Sequence, residues 1–168
     1  MISVKRYFLE LKVKNKKDFI LDKSKDYVFI KNSNSDYNLN KFFYRHVGAE
    51  HYWRDRLIWS DNQWSKYVSN PNFETWILKK NDDLIGFYEQ EFHASTDEVE
   101  LINMGILKEF RDKKLGSLLL LHSINTAFQK NIHRMWVHTC SLDHKNALKN
   151  YMSKGFKIFK EEEIDFVA

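Results

Sequence analysis

Residues Asn103–Ser117 read NMGILKEFRDKKLGS and are followed by four leucines, Leu118–Leu121; this stretch decides how the chain is read. The apolar run that precedes Lys108 reads as the end of a β-strand. A short basic turn follows, carrying Arg111, Lys113 and Lys114. From Lys113 to Lys130 the spacing of Leu118, Leu121, Ile124 and Phe128 predicts a helix with one apolar side. A strand–turn–helix junction exposes unpaired N–H groups at a helix N-terminus, where the peptide dipoles add partial positive charge. With three cationic side chains around it, such a turn attracts a phosphate or pyrophosphate. Taken alone, the same residues also suit a solvated basic turn, since one glycine at a strand–helix junction is common.

The neighbouring segments extend the pattern. Upstream, Glu74–Lys79 and Leu84–Phe92 flank Asn81-Asp82-Asp83 and read as a β-hairpin, with Glu98–Leu107 as the next strand. Downstream come a strand over Arg134–Thr139, a helix over Asp143–Lys154, and a last strand over Phe156–Lys160 after Gly155. Near the N-terminus Tyr7–Val13 and Tyr27–Lys31 alternate as strands, joined through the polar turn that starts at Asn15; Ser33–Asn40 reads as a loop. Phe42–Ser69 is aromatic and charged, with helical spacing at Trp53, Leu57, Trp64 and Tyr67, and Asn70-Pro71-Asn72 stops it. The order is two strands, helices, three strands, helix, strand, helix, strand. That is an α/β fold of α+β type on a mixed sheet, with one parallel pair around the crossover helix.

Composition narrows the class of protein. In 168 residues there are one Pro, five Gly and one Cys, with 43% hydrophobic and 15% aromatic residues. Such a chain suits one packed domain, 1–168, and not a disordered or fibrous one. A single cysteine excludes an internal disulfide framework and a multi-cysteine zinc site. The longest apolar run is Leu118–Leu121, and the N-terminus lacks the unbroken apolar core of a signal peptide, so no membrane association and a cytoplasmic location are expected. The net charge is +4, and residues 1–31 hold nine basic residues against four acidic ones. Because 21 of the 27 basic residues are lysine, beside fourteen asparagines, this looks like a compositional leaning; nucleic acid is not the expected partner.

The residues around the turn resemble the GNAT superfamily of acyl-CoA-dependent N-acyltransferases. The family's phosphate loop, Gln/Arg-x-x-Gly-x-Gly/Ala, is matched by Arg111-Asp112-Lys113-Lys114-Leu115-Gly116, and its small-residue–Tyr–Gly-Phe spacing by Ala147, Tyr151 and Gly155-Phe156. Tyr44-Arg45-His46-Val47-Gly48 and Val137–His144 (VHTCSLDH) are similar to segments of an uncharacterised bacterial group within it. The resemblance implies a three-layer fold, its central mixed and mostly antiparallel sheet carrying a splayed parallel strand pair and flanked by helices. It also implies acetyl-CoA as co-substrate. Residues 1–40 would then be N-terminal strands and loop, 41–72 acceptor-side helices, and 73–168 the acetyl-CoA-binding core. Cofactor contacts are implied for Met104, Ile106, Arg111, Lys113, Lys114, Leu115, Gly116, Ser117 and Asn146, with the Met104 N–H facing the thioester oxygen. One departure is Lys114, where the family has glycine. Either the loop closes with lysine in an ordinary conformation, or cofactor binding is weakened.

The same resemblance gives Tyr151 as the acid that protonates the leaving thiolate and Glu100 as the base; Glu89 and Glu91 are rivals, and a water chain would also serve. Gly105 fits a bulge that would splay the strands. For the acceptor, Tyr44, Trp53 and Trp59, with arginines and carboxylates among them, suit a small amine or an amino acid. His133, His138, Cys140, Asp143 and His144 lack zinc spacing and a nucleophile–base arrangement, so no metal is expected. The expected activity is transfer of an acetyl group from acetyl-CoA to a primary amine by direct attack. The alternatives are acetylation of a protein or peptide amine, or a silent acyl-CoA-binding or partner-binding module. The sequence leaves a homodimer open.

Overall fold

The computed structural model describes residues 1–19 and 26–167. Eleven regular elements alternate in the predicted order. They are β1 (Ile2–Lys12), β2 (Tyr27–Lys31), α1 (Asn38–Gly48), α2 (Asp61–Val68), β3 (Phe73–Lys80), β4 (Asp83–His93), β5 (Glu98–Ile106), α3 (Leu115–Phe128), β6 (Arg134–Cys140), α4 (Ala147–Ser153) and β7 (Lys157–Phe166). The seven strands form one sheet in the order β2-β3-β4-β5-β6-β1-β7. Every neighbouring pair is antiparallel except β5–β6, which is parallel and spanned by α3 as crossover. The mixed, mostly antiparallel sheet with helices on its two faces is the architecture the sequence implied.

Alternation places the two faces. Tyr88, Leu101, Val137, Leu9 and Leu11 point to one side and pack with Leu119, Leu120 and Ile124 of α3 and with Tyr151 and Phe156. Phe87 and Ile77 point to the other side, where Phe43 and Val47 of α1 cover them. The α1–α2 layer and the α3 layer therefore lie on opposite faces of the sheet.

Five features depart from the sequence reading. The side of α3 buried on the sheet is that of Leu119, Leu120, Ile124 and Ala127, not the predicted side of Leu118, Leu121, Ile124 and Phe128; only Ile124 is shared. The first two strands are not neighbours: β2 is an edge strand, whereas β1 lies inside the sheet between β6 and β7. β1 begins at Ile2 and β7 runs to Phe166, because the two pair along their lengths, Ile2 opposite Phe166 and Glu10 opposite Lys157. α1 starts at Asn38, within the stretch read as loop, to bury Asn40 and Phe43 on the sheet. α4 starts at Ala147 and not at Asp143, because the Asp143 carboxylate turns back to accept hydrogen bonds from Thr139 Oγ1 (2.5 Å) and Cys140 N (2.9 Å).

Candidate active site

β5 and β6 pair only over Glu98–Leu101 against Arg134–Val137, and then part. On its other edge β5 remains paired with β4 as far as Ile106 opposite Gly86. Beyond Leu101, the backbone groups of β5 that face β6 therefore have no strand partner. This gap opens into a cleft of about 1000 Å³. Its walls include Met104 and Ile106 of β5, Arg111 and Lys114 to Ser117 at the start of α3, Asn146 and Tyr151 on the α4 side, Tyr44 of α1 and Trp53 beyond that helix.

The splay does not come from Gly105, as the sequence suggested. The register shift in β5 lies between Leu101 and Asn103, opposite Gln90 and Glu89, and Gly105 pairs regularly with Phe87. A Cβ on Gly105 would overlap Val47 Cγ1, so this glycine lets α1 approach the strand.

At the turn, Lys114 takes φ 59° and ψ 19°, the left-handed conformation that glycine adopts readily, and Asp112 also has positive φ (64°). α3 starts one residue later, so the N–H groups of Leu115, Gly116 and Ser117 stand in its first turn without helical acceptors. The loop closes, but with Lys114 in the left-handed conformation and not in the ordinary one that the sequence reading allowed. Arg111 braces the junction: its Nε donates to Ile106 O (3.2 Å) and its Nη1 to Glu50 Oε2 (2.6 Å). Glu50, also 3.2 Å from Lys108 Nζ, is held below the usual carboxylate range by these two cations. Asn150 Nδ2 donates to Gly116 O (3.2 Å) and ties α4 to the start of α3. Lys113 is the exception among the expected loop residues. It is not on the cleft wall, and its Nζ lies 5.9 Å from the centre of the Phe110 ring.

Tyr151 lines the cleft with 6% of its surface exposed, and among the described residues its hydroxyl has no hydrogen-bond partner. Burial, assisted by the nearby Asp143 carboxylate, pushes the phenol well above its ordinary range, so it stays protonated. Asp143 also accepts from Trp53 Nε1 (3.3 Å), pinning the α1–α2 connection to the β6–α4 loop across the cleft.

None of the three carboxylates expected as base or rival, Glu100, Glu89 and Glu91, lines the cleft. Glu100 is absent from the cleft wall and faces Glu91 and His93, with His93 Nε2 3.1 Å from its Oε1 and 3.3 Å from Glu91 Oε2. The reason is the register shift at Ile102, which falls between Glu100 and the splayed half of β5. Glu89 is 1% exposed and saturated. Asn40 Nδ2 (2.6 Å), Tyr67 OH (3.0 Å) and Asn103 Nδ2 (2.8 Å) donate to it, and Arg56 Nη1 lies 3.6 Å away. A carboxylate with its lone pairs so occupied anchors other groups and takes up no further proton donor. Trp59 does not line the main cleft either. It borders a smaller pocket with Glu91 and lies over Arg56 at 4.9 Å.

Sequence reasoning missed Arg6, Asn103, Thr139 and Asn150, all of them on the cleft wall; Arg54 and Arg56, two of the arginines read with the aromatic cluster, line it as well. Alternation within β1 could have flagged Arg6, but its place beside the cleft depends on pairing with β6, 134 positions away.

Residues 37–156 match the Acetyltransferase (GNAT) family. The chain belongs to the GNAT acetyltransferase family. Solved structures with the same architecture include an aminoglycoside acetyltransferase from an uncultured soil metagenomic sample, 13% identical over 86% of this chain and 97% of that one, with a TM-score of 0.67. An IAA acetyltransferase from Bacillus cereus is 20% identical over 80% of this chain and 79% of that one, at a TM-score of 0.59. A functionally unknown conserved protein from Staphylococcus epidermidis is 15% identical, with 96% of this chain spanning 60% of that one, at a TM-score of 0.61. No curated protein matches the sequence. Among the described residues no helix of this GNAT chain is long and apolar enough to cross a membrane.

Proposed function

We propose that this GNAT chain transfers an acetyl group from acetyl-CoA to the primary amine of a small molecule, by direct attack of the amine. The observation that carries this reading is the parting of β5 and β6 after Leu101. The resulting gap is continuous with the first turn of α3 and with a wall bearing a buried, unpartnered phenol. The residues present fit acetyl-CoA: free N–H groups and Lys114 at the turn suit the pyrophosphate, and unpaired strand groups suit the amides of the pantetheine arm. When bound, acetyl-CoA supplies an acyl thioester. The chain's own groups then divide the work. The N–H groups of Gly116 and Ser117 hold the phosphates, and the Met104 N–H polarises the carbonyl. Tyr151 donates its proton to the departing thiolate. Glu89 acts behind the wall, fixing Asn103 and Arg56 in place. With no unoccupied Glu89 or Glu100 at the cleft, the amine loses its proton to water.

The first experiment is calorimetric titration with acetyl-CoA, with ATP as comparison, followed by thiol release in the presence of primary amines. Micromolar binding, about −8 kcal/mol, and turnover are the expected results; no binding up to millimolar overturns the proposal. Tyr151→Phe is expected to lower kcat by roughly 100-fold or more while leaving acetyl-CoA affinity unchanged. Equal rates for mutant and parent would remove its acid role. The raised phenol pKa also sets the pH profile. The proton-donating form persists below that pKa, whereas the amine must be neutral to attack. The rate should therefore climb with pH and show no descending limb below about pH 10, the ordinary tyrosine value.

A further inference from the structure

Of the four glutamates on β4 and β5, two are neutralised by arginine. Glu89 lies 3.6 Å from Arg56 Nη1, and Glu98 lies 3.0 Å from Arg134 Nη2. The other two, Glu91 and Glu100, stand directly opposite each other across the β4–β5 pair. Like charges at directly opposed positions repel. Among the described residues no lysine or arginine nitrogen comes within 4.0 Å of either carboxylate. Lys66 borders the small pocket beside Glu91, and Arg56 acts on Glu100 only from beyond that distance.

The group between the two carboxylates is His93. It follows Glu91 by two positions on β4 and so shares its face of the sheet. Its Nε2 is 3.3 Å from Glu91 Oε2 and 3.1 Å from Glu100 Oε1. A ring nitrogen carries one proton at most, and hydrogen-bond geometry is met toward Glu100 alone. Glu91 Oε2 therefore has no hydrogen-bond donor among the described residues, while Asn70 Nδ2 donates to the other oxygen and orients the carboxylate. The imidazole lies close to parallel to Trp136 of β6, at 20° with ring centres 6.4 Å apart. All three side chains are half-buried, and none of them lines the main cleft.

One ligand atom from each of these residues lies within 4.8 Å of the others. Metal bonds of about 2.0–2.2 Å in a tetrahedral site hold neighbouring ligand atoms about 3.2–3.6 Å apart. The two separations around Nε2 are already near that range, and a small rotation of either carboxylate closes the third. We propose that Glu91, His93 and Glu100 bind one divalent transition-metal ion, Zn²⁺ first among them, leaving a fourth position for water. The ion removes the repulsion that the register imposes on the two glutamates, and Asn70 and Trp136 hold the ligands in place. An imidazole among the donors disfavours Mg²⁺ and Ca²⁺, which take oxygen ligands. The site lies just before the register shift at Ile102, so the ion would tie β4 to β5 where β5 turns from regular pairing to the splayed half. The expectation of no metal was drawn from His133–His144 alone, a stretch that includes none of these donors. The inference is independent of the acetyltransferase reading.

The test is calorimetric titration of the full chain, stripped of metal with EDTA and dialysed, with ZnCl₂ and with MgCl₂. The expected result is one Zn²⁺ per chain with micromolar affinity, and Mg²⁺ weaker on the order of 100-fold. His93→Gln and Glu100→Gln should each lower Zn²⁺ affinity by about 10-fold or more. Absence of Zn²⁺ binding at millimolar concentration overturns the proposal. Unchanged affinity in either variant also overturns it, because the ion is then held elsewhere, for instance at His138 and Cys140. Should either variant lose its cooperative thermal transition, Co²⁺ titration of the parent, read by visible absorption, decides. An intense four-coordinate spectrum without a thiolate-to-metal band supports the site; a thiolate band, or the weak spectrum of hydrated Co²⁺, overturns it.

Discussion

Lys114 holds a backbone conformation that costs a residue with a Cβ about 1–2 kcal/mol, and it does so at the residue that caps α3. The left-handed turn directs the first N–H groups of α3 into the cleft, which is the service glycine performs at the matching family position. Lys114→Gly should therefore raise stability by about 0.5–1 kcal/mol, after allowing for the freedom glycine gains in the unfolded chain. The urea midpoint should rise with the m-value unchanged. Acetyl-CoA affinity should fall modestly, because the substitution removes a cation beside the phosphates. An unchanged midpoint would mean that lysine sits there without strain. Tyr151 and Lys114 illustrate how much a single position reveals. The phenol's place on the cleft wall is the one that the family resemblance, carried by its spacing to Gly155-Phe156, implied. The lysine's conformation was not, because a side chain with no propensity for left-handed backbone was forced there by the need to join β5 to α3.

At the scale of elements, the contact between α1 and β5 depends on one missing methyl group. A Cβ on Gly105 would overlap Val47 Cγ1, which is itself buried against Phe43 and Phe87. Gly105→Ala is expected to destabilise by about 1–3 kcal/mol through overpacking. Combined with Val47→Ala, which opens space at that point, the pair should be less destabilising than the sum of the two single variants. Additive effects in urea denaturation would show that the clash is relieved elsewhere. The strands were readable from periodicity, since Leu9, Leu11, Leu101 and Val137 mark their own buried faces, whereas the helices were located less closely. What periodicity does not carry is register. The single-residue shift at Ile102 moves Glu100 off the cleft, and no local pattern in Glu98–Ile106 announces it. The aromatic cluster divides for a similar reason. Trp53 is drawn to Asp143, 90 positions on, whereas Trp59 packs on Trp64 and Tyr67 nearby.

At the scale of the molecule, the sheet is closed by a strand from the wrong end of the chain. β1 is hydrogen-bonded on both edges, to β6 and to β7, and β7 has no other neighbour in the sheet. Leu9 and Leu11 are fully buried in the principal core. Deleting residues 1–12 should therefore abolish a cooperative thermal transition followed by circular dichroism, because it empties an interior strand position and orphans β7. A truncated chain that melts like the parent would show that β7 docks directly on β6. The interior position of β1 also has a consequence during synthesis. The residues of β1 cannot pair until segments more than 120 positions later have been made, since Lys12 waits for Arg134 and Ile2 for Phe166. At translation rates of about 5–20 residues per second, that wait lasts roughly 8–30 s. For that interval a strand-forming segment with Leu9 and Leu11 is displayed to every other nascent chain nearby. Lys5, Arg6, Glu10 and Lys12, interspersed along it, keep it from finding the wrong partner before its own is made.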